Sequence, residues 1–199
     1  MTLDPNPTIE PEDWSRLLRL LGPIHERALT TARRLARTSD EGDDLYQEAL
    51  LHAARKLGSL RDESKFRSWF FAILLSKHRT CARRAFWRRF LPLDESPEAA
   101  AKPTPGPGFG EDEWLRYRRM QTALATLPAG EREAVVLHEM QGFTTEEVAE
   151  VQRVSPSTVR SRLTRGRRKL ADVYVRRGWV DGQERCAKSR AAIAMGGSS

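Results

Sequence analysis

The stretch LPLDESPEAAAKPTPGPGFGEDE, residues 91 to 113, limits what this chain can fold into more than any other. Prolines, glycines and small residues replace apolar periodicity there, so the segment reads as a linker and not as part of a core. A chain of 199 residues has room for one large domain or two small ones, and the linker decides for two. The expected division is a helical domain over 10–91, a linker over 92–112, a second helical domain over 113–177, and a tail over 178–199 that ends in AMGGSS and reads as frayed. Domains of this size are plausible but marginal, because small domains bury a small fraction of their surface.

Charge narrows the partners. A formal net charge of +7 and a pI near 9.9 favour a polyanion, with nucleic acid ahead of an anionic membrane surface. The longest apolar run, Trp69 to Leu75, falls far short of the roughly 20 residues that span a bilayer, so no membrane insertion is expected. The N-terminal MTLDPNPTIEPEDW has acidic residues and prolines where a signal peptide has positive charge and an apolar run, which leads to the expectation of a cytoplasmic protein. Cys81 and Cys186 form no CxxC pair, and this argues against a disulfide scaffold or a cysteine-rich zinc site.

Both halves read as helical, because apolar residues recur at three and four and not at two. Phe66, Trp69, Phe70, Ile73 and Leu74 share one face and form a core stripe. Upstream, Leu45, Ala49, His52, Ala53 and Leu57 make a second amphipathic segment, with its start marked by Ser39, Asp40 and the acidic turn at Asp43 and Asp44. GSLRDESK, residues 58 to 65, separates the two as a polar loop. The fold class is therefore all-α.

The second half is more specific. Thr144 and Glu147 have capping-box spacing ahead of Val148 and Ala149, so a short helix begins there. Ser155 is an N-cap with Pro156 at the first helical position, where its missing N–H costs nothing. Two short helices joined by a QRV turn, the second strongly basic, predict a helix-turn-helix whose second helix enters the major groove. Val148, Val151, Val154, Val159 and Leu163 would pack the pair together. VSPSTVRSRLTRGRRKL, residues 154 to 170, carries six basic residues and no acidic one.

Arginine presents a planar fork that matches guanine O6 and N7. Arg160 and Arg165 are the candidate reading pair, with Ser161 and Thr164 between them as smaller donors and acceptors. Arg162, Arg167 and Lys169 are expected on phosphate, which positions a protein without reading sequence, and Arg168 is left without a role. A second basic stretch, SKHRTCARRAFWRR over 76–89, includes Lys77, Arg83 and Arg84 and continues the helix bearing Trp69. Interleaved aromatics and cations suit single-stranded nucleic acid, but equally a core of aromatics with snorkelling arginines, and composition leaves both open.

Catalysis has no visible home. His78 and Cys81 share a helix face but lack further ligands nearby, so no metal is expected, and GPGFG sits in the linker without the strand or GK[ST] of a phosphate loop. No cofactor and no enzymatic activity are expected.

Three blocks give the chain its likeness. DDLYQEALLHAARKL at 43–57, FRSWFFAILLSKHRTCARR at 66–84 and LATLPAGEREAVVLHEMQGFTTEEVAEVQRVSPSTVRSRLTRGRRKL at 124–170 resemble regions 2.1 to 2.2, 2.3 to 2.4 and 4 of an extracytoplasmic-function (ECF) sigma factor of the sigma-70 family. The resemblance implies a sigma region 2-like bundle and a sigma region 4-like helix-turn-helix domain that together confer promoter recognition on core RNA polymerase. It implies that Asp44, Leu45, Gln47 and Glu48 dock on the clamp helices of the largest polymerase subunit. Arg61, Asp62, Glu63, Ser64 and Lys65 would capture a flipped base of the single-stranded −10 element, and the helix from Phe66, with Trp69, Lys77, Arg83 and Arg84, would help to part the strands. Arg160, Ser161, Thr164 and Arg165 match positions that read the duplex −35 element, and an anti-sigma factor is the implied inhibitor. Departures are Ser76, where the family often has Asn, Thr80, often Asp, and Arg153, where Gly is common. A helix-turn-helix regulator with an N-terminal interaction domain, independent of polymerase, is the alternative reading of the residues.

Overall fold

A computed structural model describes residues 11–88 and 110–179, so most of the expected linker, the tail beyond Trp179 and the Arg84 side chain lie outside the described residues. Every regular element among the described residues is helical. The first domain comprises α1 (Pro11–Leu21), α2 (His25–Leu35), α3 (Ser39–Lys56) and α4 (Phe66–Arg88). α3 starts where the acidic cluster indicates, with Thr38 Oγ1 accepting the Glu41 amide at 3.1 Å. α2 and α3 can cross closely because residue 42 is glycine: a Cβ there would stand 2.5 Å from the Arg33 Cα. The Arg33–Asp43 ion pair at 2.6 Å clamps the same crossing.

Small residues Ala49, Ala53 and Ala54 on α3 let α4 lie against it, and Phe66, Phe70 and Leu74 fill the space between. Tyr46 meets Phe70 edge-on at 6.2 Å, and its hydroxyl lies 2.7 Å from His25 Nδ1. Burial, aided by the charge of Glu26, pushes the Tyr46 phenol up to about 12. The expected polar loop contains two 3₁₀ turns, Leu57–Ser59 and Glu63–Lys65.

The second domain comprises α5 (Glu111–Ala125), α6 (Ala129–Val135) running into a π-helical turn (Val136–Met140), α7 (Thr145–Gln152) and α8 (Pro156–Arg176). α5 begins inside the end of the expected linker, because Glu111, Asp112 and Glu113 favour a helix N-terminus. The capping box at Thr144 and Glu147 and the Ser155 cap with Pro156 are both formed. Val148, Val151, Val159 and Leu163 are buried between α7 and α8, with Val154 partly buried beside them.

The turn between them keeps its left-handed residue despite the missing glycine: Arg153 has φ 56° and ψ 51°. The Arg153 amide reaches Glu150 O at 3.1 Å and the Val154 amide reaches Ala149 O at 3.0 Å, the paired bonds of a Schellman ending. Those bonds, with Val154 packed on the core, hold a side chain in a conformation that costs an L-residue about 1 kcal/mol.

Composition suggests small separate cores, whereas the structure joins them. The stripe on α4 is wider than its 66-to-74 spacing indicates: Phe71, Leu75 and His78 are also buried. Phe71 meets Phe143 of the second domain edge-on at 5.0 Å, while the Arg67 guanidinium lies 3.8 Å over the same ring and donates to Gln141 O at 2.6 Å. Two further donors cross the seam to the end of α2, Gln121 Nε2 to Arg33 O and Arg132 Nη1 to Leu35 O, each at 2.9 Å.

At the centre of the seam stands Glu133, whose side chain is wholly buried. Arg79 of α4 donates to it through Nη2 at 2.6 Å and through Nε at 3.1 Å, and His78 Nδ1 lies 3.4 Å away. On its own side, Gln152 Nε2 reaches the carboxylate at 3.3 Å, and Arg162 Nη1 donates to Gln152 Oε1 at 2.8 Å. Burial alone would raise the Glu133 carboxyl, but hydrogen bonds from His78 and Arg79 outweigh it and hold it below the usual carboxylate range.

Candidate nucleic-acid interface

α8 presents its polar face outward because Val159, Leu163 and Val173 turn in. At 100° per residue, Ser157, Arg160, Ser161, Thr164 and Arg168 fall within a sector of about 100°, and all five are exposed. Arg160 makes no side-chain hydrogen bond or ion pair among the described residues. Arg168 lies on the face where the helical spacing put it, without a role of its own, and Ser157 is an addition whose signal was present as the four-residue step from 157 to 161.

The other candidate cations of α8 are tied down. Arg165 stands about 140° round the helix from Arg160, at the margin of the face. Its Nε donates to Glu131 Oε1 at 3.2 Å, and Lys169 Nζ donates to Glu131 Oε2 at 2.9 Å. Arg167 is paired with Glu139, and Arg162 points inward to Gln152. The six basic residues therefore do not act as one solvated patch.

In the first domain the acidic segment of α3 exposes Asp44, Gln47 and Glu48, with Leu51 exposed among them at 45%. Leu45 turns into the core at 4% exposure, so it supports this face from beneath. Leu51 was missed by sequence reasoning, although it sits four residues after Gln47 and three after Glu48.

Arg61, Asp62, Ser64 and Lys65 are exposed on the loop before α4. Asp62 Oδ1 accepts the Ser64 hydroxyl at 2.7 Å and the Ser64 amide at 2.9 Å, and these bonds, the hydroxyl first, lower the carboxyl pKa. Glu63 accepts from Arg16 Nε at 2.8 Å and Arg19 Nη2 at 3.1 Å, which lowers its pKa and pins the loop to α1. Along α4, Trp69, Ser76, Lys77, Thr80 and Arg83 lie within a sector of about 120°, of which Ser76 and Arg83 are exposed and border a cleft shared with Ala129, Val151 and Arg153 of the second domain. Trp69 is partly buried and stacks at a tilt on Phe66, with ring centroids 5.8 Å apart. Near this sector the His52 pKa is lowered by burial and then by the charges of Lys77, Lys56 and Arg55, the sign of a positive local field.

His78, which shares a helix face with Cys81, faces Glu133 across the seam. No group of three or more His, Cys, Asp or Glu suited to a metal occurs among the described residues, and no helix there is long and apolar enough to cross a membrane.

Comparison with known proteins places both halves. Residues 22–88 match the Sigma-70 region 2 family and residues 117–170 match Sigma-70, region 4. The ECF RNA polymerase sigma factor EcfG of Rhodopseudomonas palustris is 32% identical over 75% of this chain and 78% of its own length. The ECF RNA polymerase sigma factor SigM of Mycobacterium tuberculosis is 32% identical over 74% of this chain and 71% of its own. Among solved structures, the sigma factor RpoE of Bartonella quintana, in complex with the anti-sigma factor NepR, superposes with a TM-score of 0.60 at 25% identity, over 81% of this chain and 96% of that one. The two helical domains and their matched regions thus agree with the greater part of each relative's length, and the chain belongs to the ECF sigma factors of the sigma-70 family.

Proposed function

We propose that this sigma factor, which directs promoter-specific initiation by core RNA polymerase, reads the −35 element through the α8 face and the −10 element through the loop before α4 and the side of α4 that bears Trp69 and Arg83. The observation that carries the reading is the α8 face itself, where Ser157, Arg160, Ser161, Thr164 and Arg168 are exposed together on a helix held in a capped helix-turn-helix. Arg160 heads this face, Arg165 contributes from its edge, and Arg162 and Arg167 contribute charge, while Lys169 is held by Glu131. Phosphate contacts supply affinity and base contacts supply discrimination.

On α4, the single-strand reading of the second basic stretch rests on Arg83, exposed on the same side as Trp69, with Lys77 half-buried beside the core stripe. The acidic face of Asp44, Gln47 and Glu48 docks on polymerase, with Leu51 as its apolar contact. An anti-sigma factor restrains the protein, by analogy with the NepR-bound relative. Its place of work is the cytoplasm, with polymerase.

Run-off transcription with core polymerase on promoters from the protein's own genome tests the whole reading. Transcripts are expected with the intact chain. Asp44→Arg should abolish co-purification with core and leave the melting temperature unchanged, whereas unchanged co-purification would remove α3 from the docking surface. Tight duplex binding by the protein alone, with no initiation on any promoter, would favour the regulator reading.

A further inference from the structure

Glu131 is the acidic residue on which two of the candidate DNA-binding cations of α8 converge. Its side chain is 9% exposed, yet the two groups it holds are not buried: Arg165 is 53% exposed and Lys169 39%. The carboxylate therefore lies beneath the edge of the recognition helix with its partners reaching over it toward solvent.

This placement depends on Gly166. A Cβ there would come within 2.8 Å of Val135 Cγ2 and 3.8 Å of the Glu131 Cβ, so α6 and α8 can approach this closely only at a glycine. The approach brings the Glu131 carboxylate under residues 165 and 169, one on either side of the contact.

The atoms engaged decide what the contact does. Glu131 takes the Arg165 Nε, and the hydrogen bonding of that guanidinium stops there among the described residues, which leaves its two terminal Nη groups open to a ligand. A guanidinium held by Nε retains one bidentate edge, the end-on pair of Nη groups, and that pair matches O6 and N7 of guanine. The second carboxylate oxygen holds Lys169 at 2.9 Å, a cation that would otherwise seek phosphate regardless of sequence.

We propose that Glu131 is a positioning residue for promoter recognition: it fixes Arg165 with its terminal edge toward a guanine of the −35 duplex and withholds Lys169 from phosphate, so it raises sequence discrimination at the expense of non-specific affinity. The proposal rests on the reading of α8 as the −35 helix. It explains why a buried acid should sit beneath a helix whose task is to approach a polyanion.

The test uses holoenzyme assembled from core polymerase and the full-length chain. The probe is a pool of duplexes randomised over eight consecutive base pairs upstream of a fixed −10 segment, and bound sequences are read after selection. Wild type should select a motif, and Arg165→Ala should lose the preference at one position. Glu131→Gln should lose roughly tenfold discrimination at that same position and keep the others. Its salt slope on random duplex should steepen by about one unit as Lys169 is released. The Arg165→Ala/Glu131→Gln double variant should discriminate no worse than Arg165→Ala. Glu131→Asp, which keeps the charge, should recover part of the preference, a pattern that a purely structural role would not produce. If Arg165→Ala relaxes one position and Glu131→Gln leaves it intact, or spreads its loss evenly over all positions, this proposal fails alone. If wild type selects a motif that Arg165→Ala leaves unaltered, the proposal fails and the −35 assignment of α8 stands on Arg160; if wild type selects no upstream motif, the −35 assignment fails and takes the proposal with it.

Discussion

The two basic helices of this sigma factor are restrained in opposite ways. On α8, Arg165, Lys169 and Arg167 are answered by Glu131 and Glu139 from the same domain, so the recognition helix carries its own counter-charges wherever that domain goes. On α4, the engaged cations include Arg67 and Arg79, and their partners, Gln141 O with the Phe143 ring and Glu133, come from the other domain. The lesson is that the exposed α8 face is a local property of one domain, whereas part of the α4 environment exists only while the two domains touch. A body of about 160 residues has a radius of gyration near 15 Å, while elements separated by about 25 base pairs lie roughly 85 Å apart along the duplex. On the proposed assignment of one element to each domain, the closed arrangement is too small to span both sites, and Arg79 and Glu133 would part when both are engaged.

The largest test of this contrast is Glu133→Ala. Removing the carboxylate leaves Arg79 and His78 facing a cavity in the seam, a loss of about 3 to 5 kcal/mol by urea unfolding. Small-angle scattering should show an enlarged particle below the unfolding transition. An unaltered melt and radius would mean that the seam does not depend on Glu133. Acid probes the same group without mutation. A carboxyl whose pKa is lower folded than unfolded contributes stability that is present above the unfolded value, near 4.5, and lost as pH falls through the folded one. The closed form should therefore open below about pH 4.5, and Glu133→Ala should flatten that part of the pH profile.

Arg79→Met removes one cross-domain donor and leaves the Glu133 carboxylate in place. It should cost about 1.5 kcal/mol and enlarge the particle, while the α7–α8 unit keeps its amide exchange protection. Arg153→Gly acts within the second domain alone and should raise the unfolding free energy by about 0.5 to 1 kcal/mol by relieving the left-handed arginine. The smallest effect belongs to Arg167→Ala. Its pair with Glu139 is short but half exposed, and its loss should change stability by less than about 0.5 kcal/mol.

How much of this was legible in the sequence follows from how local each cause is. The capping box at Thr144, the Ser155 cap, Pro156 and the valines between α7 and α8 act over three to five residues, and each was readable in a short window. The Arg153 turn was half legible: the missing glycine marked the site, but the Schellman bonds that hold it depend on Ala149 and Glu150 carbonyls that no composition rule points to. Glu133 was illegible, because its partners lie 54 and 55 residues earlier and a glutamate in an amphipathic helix reads as solvent-facing. Distance along the chain also hid the Glu131 contacts, so Arg165 read as a free member of a pair. Leu45 illustrates the converse error, since the docking block is a run of sequence but only one side of its helix reaches the surface.

The two carbonyls at the end of α2 carry a consequence of their own. Arg33 O and Leu35 O, past the reach of their own helix's amides, are completed by Gln121 and Arg132 across the seam. Parting the domains hands both back to water and leaves that last turn without its borrowed cap, so it frays. The end of α2 is thereby a built-in gauge of separation: solvent deuterium entering the amides of residues 33 to 36 would report, without any label, the moment at which the protein lets go of itself to take hold of a promoter.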